Sequence, residues 1–172
     1  SCISSTLFLR NFLDDRVETA PEIKGFWAIA GDYNYHLKKL ERAFRAAEAL
    51  NTRFIRVFPF QKVEELTQDI FSLAAEKFSR PAKQAQKNGF TLVMETCPHT
   101  SFGWGVHAVK LVQLVDSPAF RLLWDPAGSI RAGEPDFMQA FSDIVPLAAH
   151  IHAKDIVVQP DGGREYLPIG RG

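Results

Sequence analysis

TLVMETCPHTSFGWGVHAVKLVQLVDSPAFRLLWDP, residues 91–126, opens and closes on short apolar runs and carries a helical pattern between them. TLVMET (91–96) and RLLWDP (121–126) are near-continuously apolar rather than alternating, as suits parallel strands covered on both faces. Between them GVHAVKLVQLV (105–115) repeats its apolar residues at helical spacing. A strand, a helix and a strand in this length make one crossover unit. Outward from this unit lie two more runs of the same kind, RFIRVFPF (53–60) and AHIHAKD (149–155). The four runs begin at 53, 91, 121 and 149, so the unit repeats loosely. CISSTLFL (2–9) fits a further strand near the chain start.

The intervening segments read as helices. HLKKLERAFRAAEAL (36–50) gathers Leu37, Leu40, Phe44 and Ala47 on one face, and Asn34 is placed to cap its start. VEELTQDIFSLAAEKFSRPAKQAQKNG (63–89) is a long helical stretch in which Pro81 is expected to kink the helix or begin a new one. Asn88-Gly89 supplies a stop. DFMQAFSDIV (136–145) follows Pro135, with Asp136 as its cap. Residues 10–33 have mixed polarity and read as a loop with a short helix. The tail QPDGGREYLPIGRG (159–172) reads as Gly/Pro-rich chain without a terminating element. No composition break divides the chain, so residues 1–172 are expected to form a single domain.

Alternating strands and helices define an α/β protein, either an open doubly wound sheet or a (β/α)8 barrel in whole or part. A doubly wound nucleotide binder carries a Gly-rich loop after its first strand. No GxGxxG or GxxxxGK[ST] follows any strand here, and the lone Gly-x-Gly of LPIGRG (167–172) is weak evidence for phosphate binding.

Composition narrows the function. Of 172 residues, 46% are hydrophobic and 23% charged, the profile of a globular protein. Twenty basic side chains balance twenty acidic ones, which argues against a nucleic-acid partner held by bulk phosphate attraction. No apolar run is long enough to span a membrane, and no signal peptide is visible. Cys2 and Cys97 form no CxxC motif or disulfide framework, so a reducing cytoplasmic setting is expected.

Three strand runs end in a potential metal ligand: Glu95, Asp125 and His152. In a parallel barrel all C-terminal strand ends open onto one face, so the three converge. Two carboxylates and an imidazole suit Mn²⁺, Co²⁺, Mg²⁺ or Zn²⁺. Taken singly, either carboxylate has the plainer reading of a helix cap or loop acceptor, and a strand histidine that of a hydrogen-bonded core residue.

Together, HIHAKD (150–155), TLVMETCPHT (91–100) and LLWDPAGS (122–129) resemble the xylose isomerase-like TIM barrels, the sugar-phosphate isomerase/epimerase group. HLKKLERAFRAAEALNTRFIRVFPF (36–60) is similar to the helix and third strand of that group. CISSTLFL resembles its second strand, and YLPIGRG (166–172) the segment before its seventh. The resemblance covers nearly the whole chain and implies a partial (β/α)8 barrel, strands two to six. A full barrel takes about 250 residues, so a fragment of a longer chain is expected. Its open sheet edges would favour self-association.

The resemblance further implies that Glu95, Asp125 and His152 bind a divalent cation and that Glu95 is also a catalytic acid/base. The family's second catalytic Glu would follow Gly172; Glu165 does not replace it. The implied reaction is isomerisation or epimerisation of a small sugar or polyol through an enediolate, the cation stabilising charge on oxygen while carboxylates move the proton. His99, Lys154 and Arg56 are candidates to hold substrate; Arg56, a charge inside a strand, needs a partner and either pairs with a carboxylate or reaches into the site. His150 either orients His152 or is core, and Phe102 and Trp104 either wall a sugar ring or simply pack. Two positions depart from the family: Gly128 stands where some members carry His or Asn, and Arg171 stands between the tail glycines, where it would favour an anionic substrate. An inosose-type dehydratase on the same barrel, or an inactive partial barrel lacking its fourth ligand, remain alternatives. A nuclease resembling endonuclease IV is disfavoured by the small number of histidines.

Overall fold

The computed structural model describes residues 1–10, 12–13 and 29–171. In chain order the elements are β1 (Cys2–Ile3), α1 (Tyr33–Ala49), β2 (Phe54–Val57), α2 (Gln68–Lys87), β3 (Thr91–Glu95), α3 (Gly105–Val115) and β4 (Phe120–Trp124). They continue with α4 (Pro126–Ala132), α5 (Phe137–Ile144), a 3₁₀ turn (Val145–Leu147), β5 (Ala148–Ile151), β6 (Asp155–Val158) and β7 (Arg164–Leu167). The first five strands form one parallel sheet in chain order, β1-β2-β3-β4-β5. This is an α/β half-barrel, as the resemblance implies.

The central strands are covered on both sides. Leu92, Val93 and Met94 of β3 and Phe120, Leu122 and Leu123 of β4 are fully buried, which accounts for their unbroken apolar runs. The main core lies between the sheet and the helices α1, α2 and α3. Leu37, Leu40, Phe44 and Ala47 of α1 enter it as expected, with Phe71, Ala74 and Phe78 of α2. Gly105 lets α3 meet α5 closely, since a Cβ there would lie 2.7 Å from the Ala140 Cβ.

Four local expectations need correction. Asp32, not Asn34, caps α1: its backbone is extended and its Oδ1 accepts from the Tyr35 N–H at 2.7 Å, whereas Asn34 is already inside the helix. Pro81 does not begin a new helix: α2 runs on through it. A proline at 81 has no N–H for the carbonyl of Lys77, and the Tyr33 hydroxyl donates to that oxygen instead. CISSTLFL is paired as a strand only over Cys2–Ile3. Ser5 Oγ then donates to Arg56 O, Phe8 takes a φ of 65°, and Leu7, Phe8 and Leu9 are buried in a turn. The tail does contain regular structure, since β6 and β7 form an antiparallel hairpin closed through Gly162 at φ 82°. Of the loop expected over residues 10–33, positions 11 and 14–28 lie outside the described residues, and Ile29–Asp32 is irregular.

Candidate metal centre

The strand ladder brings the site together. Glu95 is the last residue of β3, and Asp125 and His152 directly follow β4 and β5. Bonding runs just past the strand ends: Thr96 N–H donates to Leu123 O and His152 N–H to Trp124 O. The three side chains therefore sit at the same end of adjacent strands. Among the described residues, one ligand atom from each of Glu95, Asp125 and His152 lies within 4.8 Å of the others. Ligand bonds of about 2.1 Å separate two donors on one ion by at most about 4.2 Å, so the trio needs only a small closure.

Glu95 is buried and doubly contacted. His152 Nδ1 donates to Oε1 at 3.0 Å, which leaves the lone pair on the other ring nitrogen. Oε2 lies 3.0 Å from Arg56 Nη1, an ion pair by distance, yet this buried oxygen receives no directed hydrogen bond. Burial pushes the Glu95 carboxyl above its ordinary value, opposed by the charges of Arg56 and His152 and reinforced by Asp125. Arg56 is itself held, with Nε donating to Ser5 O at 3.1 Å and the guanidinium 4.9 Å from the centre of the Phe58 ring. Its charge inside a strand is explained by these partners.

Asp125 divides its two oxygens. Oδ1 accepts from Gly128 N–H at 2.9 Å and caps α4, which is the plainer reading of this residue. Oδ2 pairs with Lys154 Nζ. The Asp125 N–H donates to Thr96 Oγ1 at 3.0 Å. A Cβ on Gly128 would lie 2.9 Å from Thr96 O, which is why that family position is a glycine here. An unhydrogen-bonded buried carboxylate oxygen, a carboxylate already oriented by a helix cap and an imidazole make a donor set that fits a hard or borderline divalent cation. Cys97, buried beside Thr96, has its thiol pushed up to about 12 by burial and adds no thiolate.

The structure thus gathers Glu95, Asp125, His152, Arg56 and Lys154. His99 is not in the donor cluster; it lies half-buried after β3, where burial and the Arg131 charge lower its pKa. The half-buried His150 ring sits 5.7 Å from that of His152 and 6.4 Å from Phe54. Phe102 is fully buried against Phe71, a packing role. Trp104 stacks on His107 at 5.3 Å and lines a cavity of about 230 Å³ with Lys62, Pro98 and Ser101. At the tail, the N–H groups of Gly170 and Arg171 both bind the chain's own Asp155 Oδ2, so that turn already holds a carboxylate. Sequence reasoning did not find Thr96 or the Ser5 carbonyl, because both act through strand register and carry no motif.

A family model described as xylose isomerase-like TIM barrel matches residues 19–172. Among solved structures, the probable 3-DHS dehydratase AsbF from Bacillus anthracis is 22% identical, with 74% of this chain and 47% of that chain covered and a TM-score of 0.66. A xylose isomerase-like TIM barrel protein from Mycobacterium smegmatis in complex with magnesium is 19% identical over 81% of this chain and 53% of that one, at a TM-score of 0.65. The 3-keto-D-glucoside 4-epimerase YcjR from E. coli is 16% identical over 70% and 50%, at 0.59. The chain spans about half the length of these structures. No curated protein matches the sequence. No helix among the described residues is long and apolar enough to cross a membrane.

Proposed function

The chain belongs to the xylose isomerase-like TIM barrel family, and from that premise we propose that it carries the metal-binding part of a sugar or sugar-phosphate isomerase/epimerase site. The observation that carries the reading is the convergence of the Glu95, Asp125 and His152 donor atoms at consecutive strand ends. Those three residues would hold a divalent cation (Mn²⁺, Co²⁺, Mg²⁺ or Zn²⁺). When bound, the cation would polarise a substrate carbonyl and stabilise the negative charge that develops on its oxygen.

The rest is the work of this chain's own groups. Glu95 takes the proton from the carbon beside the carbonyl; the C–H electron pair forms the carbon–carbon double bond of the enediolate as the carbonyl π pair moves onto oxygen. Arg56 holds one Glu95 oxygen in place. Arg56, Lys154 and His99 are the side chains proposed to meet a small sugar or polyol. An inosose-type dehydratase shares the same proton abstraction, and product analysis separates the two. Two unpaired cysteines support a reducing, cytoplasmic setting.

The test is metal titration followed by thermal melting. Ligand that binds only the native state raises Tm. Mn²⁺, Co²⁺, Mg²⁺ or Zn²⁺ should raise Tm, EDTA should reverse the rise, and Asp125→Asn should abolish it. A wild-type Tm that none of the four ions moves overturns the reading in favour of an inactive partial barrel. Glu95→Gln that binds metal and still turns over a sugar removes the proton-transfer role.

A further inference from the structure

Two cations already neutralise the two carboxylates of the centre. Arg56 faces Glu95 and Lys154 faces Asp125, and both carboxylate side chains are almost fully buried, at 7% and 5% exposure. The charges balance before any ion enters, so a dication added to this arrangement would leave an excess of two positive charges in a poorly solvated place.

The two resident cations are not held alike. Arg56 is tied to the Ser5 carbonyl and to the Phe58 ring, and its side chain is 16% exposed. Lys154 lies on the link between β5 and β6, and its side chain is 41% exposed. It therefore has a route to water that Arg56 lacks. Asp125 has two oxygens to offer an ion. Its Oδ1 already accepts from the Gly128 N–H, and Gly128 is packed against Thr96 O. Its Oδ2 has no backbone donor among its hydrogen bonds and is held by Lys154.

Building on the metal-site reading, we propose that Lys154 is a displaceable counter-ion: it occupies Asp125 Oδ2 in the metal-free protein and leaves when a divalent cation takes that oxygen. Metal affinity is then set by competition with an internal ammonium. The released ammonium is then free to meet an anionic or hydroxyl-rich ligand, and only once the metal is in place.

Calorimetric titration with Mn²⁺ alone tests this. Lys154→Gln should bind Mn²⁺ about tenfold more tightly than wild type, since a charge-assisted bond no longer has to be broken. Lys83→Gln, which removes an exposed positive charge on α2, should leave the affinity unchanged. In the wild-type chain, Mn²⁺ should also speed acylation of the Lys154 amine, followed by mass spectrometry. Unchanged or weaker Mn²⁺ binding by Lys154→Gln, equal tightening by Lys83→Gln, or an acylation rate that Mn²⁺ does not alter overturns the proposal. If wild type and Lys154→Gln bind equally, only the counter-ion role falls. If neither binds, the metal-site reading falls with it.

Discussion

Arg56 ties a buried charge in the sheet to the carboxylate at the end of the neighbouring strand. It is a charged side chain in the middle of β2, and its neighbours there, Ile55 and Val57, are fully buried. Its position is tolerable because Glu95, the Ser5 carbonyl and the Phe58 ring surround it. Removing the guanidinium leaves the buried Glu95 carboxylate with His152 as its remaining partner. Arg56→Met is therefore expected to destabilise the metal-free chain by roughly 2–4 kcal/mol, measured by urea unfolding. It should also raise the Glu95 pKa further, because Arg56 is the largest influence lowering it. Mn²⁺ should recover part of the loss by supplying the missing positive charge. A stability equal to wild type would mean that the pair contributes nothing net.

Among the elements, α2 is the one whose continuity was least expected. Its N-terminus is capped by Thr67 and its C-terminus ends at Asn88-Gly89, where Gly89 adopts a φ of 73°. Both ends follow from local residue chemistry. Passage through Pro81 does not, because it depends on a hydroxyl from the first residue of α1. Burial pushes the Tyr33 phenol up to about 12, so it remains a donor across the usual pH range. Tyr33→Phe should cost about 1–2 kcal/mol by stranding the Lys77 carbonyl. In a Pro81→Ala background the cost should shrink, since the substitution restores a backbone N–H that can bond to that oxygen. A double-mutant cycle measures the difference; equal costs in both backgrounds would remove Tyr33 as the substitute donor.

At the scale of the whole molecule, His36 is a tie between distant pieces. It is fully buried on α1; its Nδ1 accepts from the Phe8 N–H at 2.9 Å and its Nε2–H donates to Ile29 O at 3.0 Å. Burial lowers its pKa from 6.5 to about 4, with the Ile29 bond and Asp32 opposing and Arg10 assisting. Above pH 6.5 folded and unfolded chains are both neutral at this group. Between 6.5 and 4 the unfolded chain takes up a proton that the folded chain refuses, so acid destabilises the fold. Unfolding free energy should therefore fall over that window, and the difference in slope between wild type and His36→Gln isolates the contribution from that of the buried carboxylates. Parallel slopes would show that His36 does not titrate on unfolding.

The strand–helix alternation, most helix faces and the three ligand types were legible along the chain because each depends on local periodicity or on a residue's own chemistry. Leu37, Leu40, Phe44 and Ala47 are buried where a helical repeat puts them, and Glu95, Asp125 and His152 stand where apolar runs end. Asp125 had two readings in sequence: it is the helix cap of the plainer one, and its carboxylate lies in the three-residue cluster on which the other is proposed. The hairpin of β6 and β7 was missed because its Gly/Pro-rich stretch reads as plain loop, although its partners are close in sequence. The short β1, the run of α2 through Pro81, the choice of Glu95 as the carboxylate for Arg56 and the pairing of Lys154 with Asp125 were not legible, because each rests on a partner far along the chain, such as Tyr33 for Lys77 or Ser5 for Arg56, and linear spacing does not encode which distant groups meet. Residue order set the pattern of elements and the kinds of donor atom; strand register and packing decided which donors share one space and which cations hold them.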